Sequence, residues 1–137
     1  MLFRSAAALV IRDVGTGWLD CYPVPSKSAD DTYTALQHAF GPGTAIRSIH
    51  SDDAPELKKA CRDLGIPHFT GTPGRPNTNS LAERAVKTVL EGTRTVLEHA
   101  GLPSALWTQA AKHFCLMRNV VEQAGGSPWE KIGRAHV

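Results

Sequence analysis

The chain has 137 residues, enough for one domain with a real core, and its 42% hydrophobic to 20% charged balance is that of an ordinary globular protein. A net charge of +2 is too small to argue for nucleic-acid binding, which needs clustered Lys and Arg, and it does not exclude such binding either. No apolar run approaches the roughly eighteen residues of a membrane span, so no membrane partner is expected. The three cysteines, Cys21, Cys61 and Cys115, are far apart and lack a CxxC or His/Cys cluster, which argues against a zinc site and a disulfide framework.

Residues 6–14 are apolar with β-branched members and end near Asp13, the pattern of a strand rather than a signal peptide. Gly15-Thr16-Gly17 is a tight connection to a second strand over residues 18–24, so the two are expected to be antiparallel neighbours. Ser28 to Asp31 has the spacing of a capping box, and Tyr33, Leu36 and Phe40 follow at helical intervals up to Gly41. A short strand over 46–50 runs into Asp52. Asp53 to Glu56 then opens a helix with Leu57, Ala60, Cys61 and Leu64 inside and Gly65 as its stop.

A brief strand over 66–70 leads to residues 71–79, whose two prolines and two glycines predict a loop. The longest periodic segment, 81–100, sets Ala82, Ala85, Val86, Val89, Val96, Leu97 and Ala100 against a charged face of Glu83, Lys87, Glu91, Arg94 and Glu98. Gly101 ends it. Pro103 and Ser104 start a last helix, with Leu106, Trp107, Ala110, Ala111 and Phe114 inside. A hairpin followed by alternating strands and helices predicts the α/β class, with a mixed sheet of antiparallel hairpin and parallel strands flanked by helices.

Three acids stand where strands end or a helix begins: Asp13, Asp52 and Glu83. Chemistry in open α/β sheets gathers at strand ends, and a hard divalent cation needs only two or three carboxylates because it keeps several waters. Such a set suits phosphodiester chemistry. Each acid also has an ordinary reading. Asp13 alone reads better as a turn residue before Gly15. Either Asp52 or Asp53 would serve as an N-cap; Asp53 pairs naturally with Glu56 in a capping box and leaves Asp52 free. Glu83 is three residues after Ser80 and would also complete a capping box.

The strings around these acids carry a resemblance. His50-Ser-Asp-Asp-Ala-Pro-Glu-Leu57, Leu64-Gly-Ile-Pro-His68 and Thr72-Pro-Gly-Arg-Pro-Asn-Thr-Asn-Ser-Leu-Ala-Glu-Arg84 resemble, in order, the catalytic core of retroviral and retrotransposon integrases. Asp13-Val-Gly-Thr16-Gly-Trp18 resembles the family's first acidic motif, Asp-x-x-Ser/Thr, and the likeness runs over roughly residues 8–121. It implies an RNase H-like fold and an enzyme, a polynucleotidyl transferase and endonuclease. By the resemblance Asp13, Asp52 and Glu83 are the catalytic ligands of Mg²⁺ or Mn²⁺. The reaction implied is 3′-end processing and strand transfer of element DNA into target DNA.

Homo-oligomers and a nuclear or particle location follow from the same resemblance. Lys87, one turn beyond Glu83, is placed to meet a DNA phosphate or to pair with Glu83 or Glu91. Arg75 either follows DNA into the site or is a solvated loop residue, and the role of Arg84 in DNA binding is open. Trp18 and Trp107 read as core residues rather than base-stacking surfaces.

The pattern also departs from the family's. Thirty residues separate Asp52 from Glu83, a compact spacing, and thirty-eight separate Asp13 from Asp52. Asp53-Ala54 stands where the family has Asn-Gly. Ser80 replaces a glycine, and would be strained if that position required φ > 0. A decayed, non-catalytic fragment that keeps DNA binding or dimerisation, and another RNase H-like nuclease or transposase, are the alternative expectations. The core is expected over residues 1–125, incomplete at its ends, with 126–137 a tail. Residues 132–137 read as the translation of a sequencing adapter.

Overall fold

The structure is a computed structural model that describes residues 7–42, 45–71 and 80–135. The elements in chain order are β1 (Ala7–Arg12), β2 (Leu19–Val24), α1 (Ala29–Phe40), β3 (Ile49–Ser51), α2 (Pro55–Leu64), β4 (His68–Thr70), α3 (Ser80–Ala100), a 3₁₀ turn (Ser104–Leu106), α4 (Trp107–Val120) and α5 (Pro128–Ala135). The class is mixed α/β, with an antiparallel hairpin and a parallel strand pair. Among the described residues the ladders are two-stranded, β1 with β2 and β3 with β4. The expected loop over 71–79, Arg75 included, lies outside the described residues apart from Gly71.

The chain divides into two compact units, one of residues 1–9 and 22–83, the other of residues 10–21 and 84–137. In the first, Ser28 caps α1: its hydroxyl accepts from Asp31 N at 3.1 Å. The reciprocal half of the expected box is rerouted, because Ser26 donates to the Asp31 carboxylate at 2.6 Å and accepts from Ser28 N at 3.3 Å. α1 packs on α2, and Ala35, Leu36, Ala60 and Cys61 are buried on these helices. Gly65 ends α2 in the left-handed conformation at φ 71°, as its position predicted.

β3 and β4 pair in parallel, with Ile49 opposite His68 and Ser51 opposite Thr70. Both strands are shorter than the sequence suggested. Pro67 has no N–H to give a ladder, but its carbonyl accepts from Ile49 N at 2.9 Å, so the pairing begins there.

Asp53 corrects one expectation. The residue before α2 is Ala54, which makes no side-chain cap, and Asp53 forms an ion pair with Lys58 instead. Pro55 at the first helical position sets φ and lacks a donor to satisfy, so α2 starts without a polar cap.

The second unit has its own core of Leu19, Cys21, Ala85, Val89, Ala111 and Cys115, with Val10, Trp107 and Phe114 packed against it. Trp107 is thus a core residue, as expected, whereas Trp18 lies 5.8 Å from the Trp129 ring, centroid to centroid. The buried stripe of α3 is Ala85, Val89, Gly92, Thr93 and Leu97, rotated from the expected one: Val86 is 44% exposed and Ala100 is exposed.

Gly92 explains the rotation. A Cβ there would run into the Phe114 ring, so the backbone of α3 itself forms the contact with α4 at this point. α5 packs on α4, and Ser127 and Glu130 form a full capping box at its start: Glu130 N donates to Ser127 Oγ at 3.2 Å, and Ser127 N donates to Glu130 Oε2 at 3.0 Å.

Candidate active site

Asp13 belongs to the second unit, where it closes β1 and organises the turn to β2. Its N–H donates to the Trp18 carbonyl and its own carbonyl accepts from Gly17 N, both at 2.8 Å. The carboxylate takes the Thr16 hydroxyl at 2.5 Å and Thr16 N at 3.2 Å on one oxygen, and Gly15 N at 3.4 Å on the other. The turn reading and the ligand reading of Asp13 are therefore compatible. A carboxylate offers about four acceptor positions, and the Asp-x-x-Thr spacing fixes the orientation of an exposed group with capacity left over. Gly17 at φ 79° makes the tight return possible.

Asp52 and Glu83 belong to the first unit. Asp52 follows β3 directly and is exposed, and its carboxylate has no hydrogen-bond or ion-pair partner among the described residues. Its neighbours absorb the structural duties: Asp53 pairs with Lys58, and Ser51 ties down the Asp52 carbonyl through a 2.9 Å hydrogen bond from its hydroxyl. That hydroxyl has one hydrogen, so at 2.6 Å it accepts from His68 Nε2, which must carry the proton.

His68 Nε2 thus anchors the strand end before Asp52, a contact that sequence spacing alone does not reveal. Burial and the Lys58 charge hold the His68 imidazole below its ordinary range, against the pull of Asp52 and Asp53.

Glu83 sits in the first turn of α3, exposed, where its charge is favoured by the helix dipole. Ser80 opens α3 in right-handed conformation; among the described residues no non-glycine has positive φ, so the expected strain at Ser80 is absent.

Lys87 is exposed on α3 with its Nζ 3.9 Å from Glu91 Oε1, a loose solvent-facing pair that leaves the ammonium able to change partners. Arg84 is exposed on the same helix, and Arg75 is outside the described residues.

The donor chemistry of these acids suits a hard divalent cation: carboxylate oxygens, exposed, with room for water. Neither unit by itself groups three or more His, Cys, Asp or Glu side chains among its described residues into a set that could hold a metal. Two of the three acids, Asp52 and Glu83, fall in one unit and Asp13 in the other. The three cysteines are free and buried.

Comparison with known proteins gives the chain its kin. No family model matches it. It is 32% identical over 103 residues to the retrovirus-related Pol polyprotein from transposon TNT 1-94 of Nicotiana tabacum, covering 68% of this chain and 8% of that protein. It is 34% identical over 101 residues to the corresponding polyprotein from transposon RE2 of Arabidopsis thaliana, covering 68% of this chain and 7% of that one. The chain therefore spans less than a tenth of the curated relatives it matches.

Among solved structures, the catalytic core domain of BIV integrase superposes with a TM-score of 0.69 over 93% of this chain and 86% of that one, at 19% identity. By sequence the chain is a homologue of a segment of the retrovirus-related Pol polyproteins of plant transposons, and its RNase H-like fold is that of a retroviral integrase catalytic core.

Proposed function

We propose that the chain is the catalytic core of a retrotransposon integrase, a polynucleotidyl transferase that trims the 3′ ends of element DNA and joins them to target DNA. The observation that carries this reading is the kinship to transposon Pol polyproteins combined with the integrase-core fold. Asp13, Asp52 and Glu83 are its catalytic acids and would hold Mg²⁺ or Mn²⁺. That cation, when bound, would activate the attacking water or 3′-hydroxyl and stabilise the leaving oxygen.

The chain's own residues prepare the acids. Thr16 orients the Asp13 carboxylate, and Ser51 and His68 fix the backbone at Asp52. Asp53 takes the ion pair with Lys58, which leaves the Asp52 carboxylate without an ion-pair partner among the described residues. Lys87, Arg84 and Arg75 are the DNA-binding candidates, meeting phosphates rather than bases, which positions a strand without reading its sequence. The partners are DNA and further copies of the chain, and the work belongs to the nucleus or a retroelement particle.

A second reading, a remnant that binds DNA without catalysis, draws on one observation: the Asp13 carboxylate already satisfies three donors of its own turn. Melting the protein while Mg²⁺ or Mn²⁺ is titrated in separates the two. Clustered acids repel without a cation, so the metal should raise the melting temperature by linkage. Asp13→Asn and Asp52→Asn should melt higher than wild type without metal and respond little to it. A wild type that melts cooperatively and ignores both metals would favour the remnant.

A further inference from the structure

In the first unit, α2 and β4 border a cavity of about 370 Å³ lined by Lys58, Arg62, Ile66, His68 and Thr70. Four of these five side chains carry hydrogen-bond donors and none is a carboxylate. The cations of α2 are not equivalent. Lys58 is paired with Asp53 and Lys59 with Asp63, the latter at 3.2 Å, whereas Arg62 has no carboxylate partner among the described residues. A guanidinium without a counter-ion, set in a concavity beside a hydroxyl and a second cation, is arranged for an anion with several oxygens.

We infer that this cavity is a phosphate site that holds a phosphodiester of a nucleic-acid strand, with Arg62 as its principal ligand and Thr70 and Lys58 beside it. The inference rests on the DNA-processing role proposed above, and it names a contact which that role does not require. Strand register supports a diester over a free phosphate. Thr70, in the cavity wall, stands opposite Ser51, and Asp52 follows Ser51 directly. A strand that brings its scissile phosphate to Asp52 therefore carries a neighbouring phosphate along β4 towards Arg62. The site positions the strand and reads no base, because Arg62, Thr70 and Lys58 would address phosphate oxygens.

The test is the fluorescence anisotropy of a labelled duplex oligonucleotide, measured over a range of salt with the full chain. Arg62→Gln should weaken binding about tenfold at low salt and reduce the slope of log K against log salt by about 0.9, the loss of one neutralised phosphate. Arg62→Lys should fall between, keeping the charge without the fork. Lys59→Gln removes the same charge from the same helix outside the cavity, and should cost less than about twofold.

Equal losses for Arg62→Gln and Lys59→Gln, or no duplex binding by wild type, overturn the proposal. Inorganic phosphate that raises the melting temperature of wild type but not of Arg62→Gln, where the duplex does not bind, overturns the diester assignment in favour of free phosphate. Metal-dependent end processing is scored on the same samples. Arg62-dependent binding without processing sinks the enzyme reading and leaves the cavity; processing with Arg62-independent binding sinks the cavity alone.

Discussion

Asn119 is 1% exposed, and both ends of its amide are committed to one residue: Oδ1 accepts from Leu19 N at 2.9 Å, and Nδ2 donates to Leu19 O at 2.7 Å. The side chain substitutes for a strand neighbour where β2 begins, a hundred residues away in sequence. Replacing it with an apolar residue of similar size leaves a backbone donor and a backbone acceptor buried without partners. Asn119→Leu should therefore lose about 2–4 kcal/mol of stability, read from urea melts, although the hydrophobic term alone would favour leucine. An unchanged midpoint would mean that water reaches Leu19 after all.

Nothing in the sequence marks this asparagine, because its meaning lies entirely in a partner that chain order does not bring near. The same holds for His68, whose bond to Ser51 crosses between strands. Thr16 was more accessible to reading: three residues after an aspartate, in a glycine-bearing turn, a hydroxyl has little else to bond.

Elements whose limits are set locally were legible. Ser28 starts α1, while Gly65 and Gly101 stop α2 and α3 with φ of 71° and 65°. These are decisions between a few consecutive residues, and the physics that makes them is visible in a short window. α5 was missed although its signal, Ser127-Pro-Trp-Glu130, is the same kind of capping box that revealed α1; a weakly periodic segment near a chain end drew no helix.

The rotation of α3 was beyond local reading, since helical periodicity tolerates either of two adjacent stripes and the choice falls to α4. Gly92 makes that choice testable. In an exposed helix, Gly→Ala stabilises by up to about 1 kcal/mol. Here the new methyl meets the Phe114 ring, which is itself packed on the core of the second unit, so Gly92→Ala should instead destabilise by about 1–3 kcal/mol. In a Phe114→Leu background the same substitution should be neutral or stabilising. A double-mutant cycle by thermal melting would expose the coupling, and simple additivity would show that the helices adjust freely.

At the scale of the whole molecule, the order of strands and helices and the motif string were enough to identify the fold, because they sample nearly the full length of the chain. The candidate site was legible as residue types at strand ends, but its wiring was not, since the roles of Asp53, Ser51 and His68 depend on side-chain contacts.

His68 and the buried thiols also shape how the chain as a whole responds to pH. His68 is held below its ordinary value of 6.5 by burial and by Lys58, with His50 adding and Asp52 and Asp53 opposing. The unfolded chain therefore takes up this proton first, and stability falls as pH drops below about 6.5. At the other end, burial pushes Cys21 up to about 11, aided by Asp20 and opposed by Lys112. Burial likewise lifts Cys115 to about 12, with Cys21 and Asp20 adding and Lys112 and Arg118 opposing. Cys61 is raised by burial as well.

The unfolded thiols ionise from their ordinary value of 9.0 while the folded ones stay protonated, so stability is lost as pH climbs past that value. The urea midpoint, measured in EDTA, should accordingly hold level between about pH 6.5 and 9 and decline on both sides. His68→Gln should flatten the acid decline and leave the alkaline one; Cys115→Ala should leave the acid decline and reduce the alkaline one to the share of Cys21 and Cys61. An acid limb that persists unchanged in His68→Gln would assign it to other groups and remove the imidazole from the account of how the strand end at Asp52 is held.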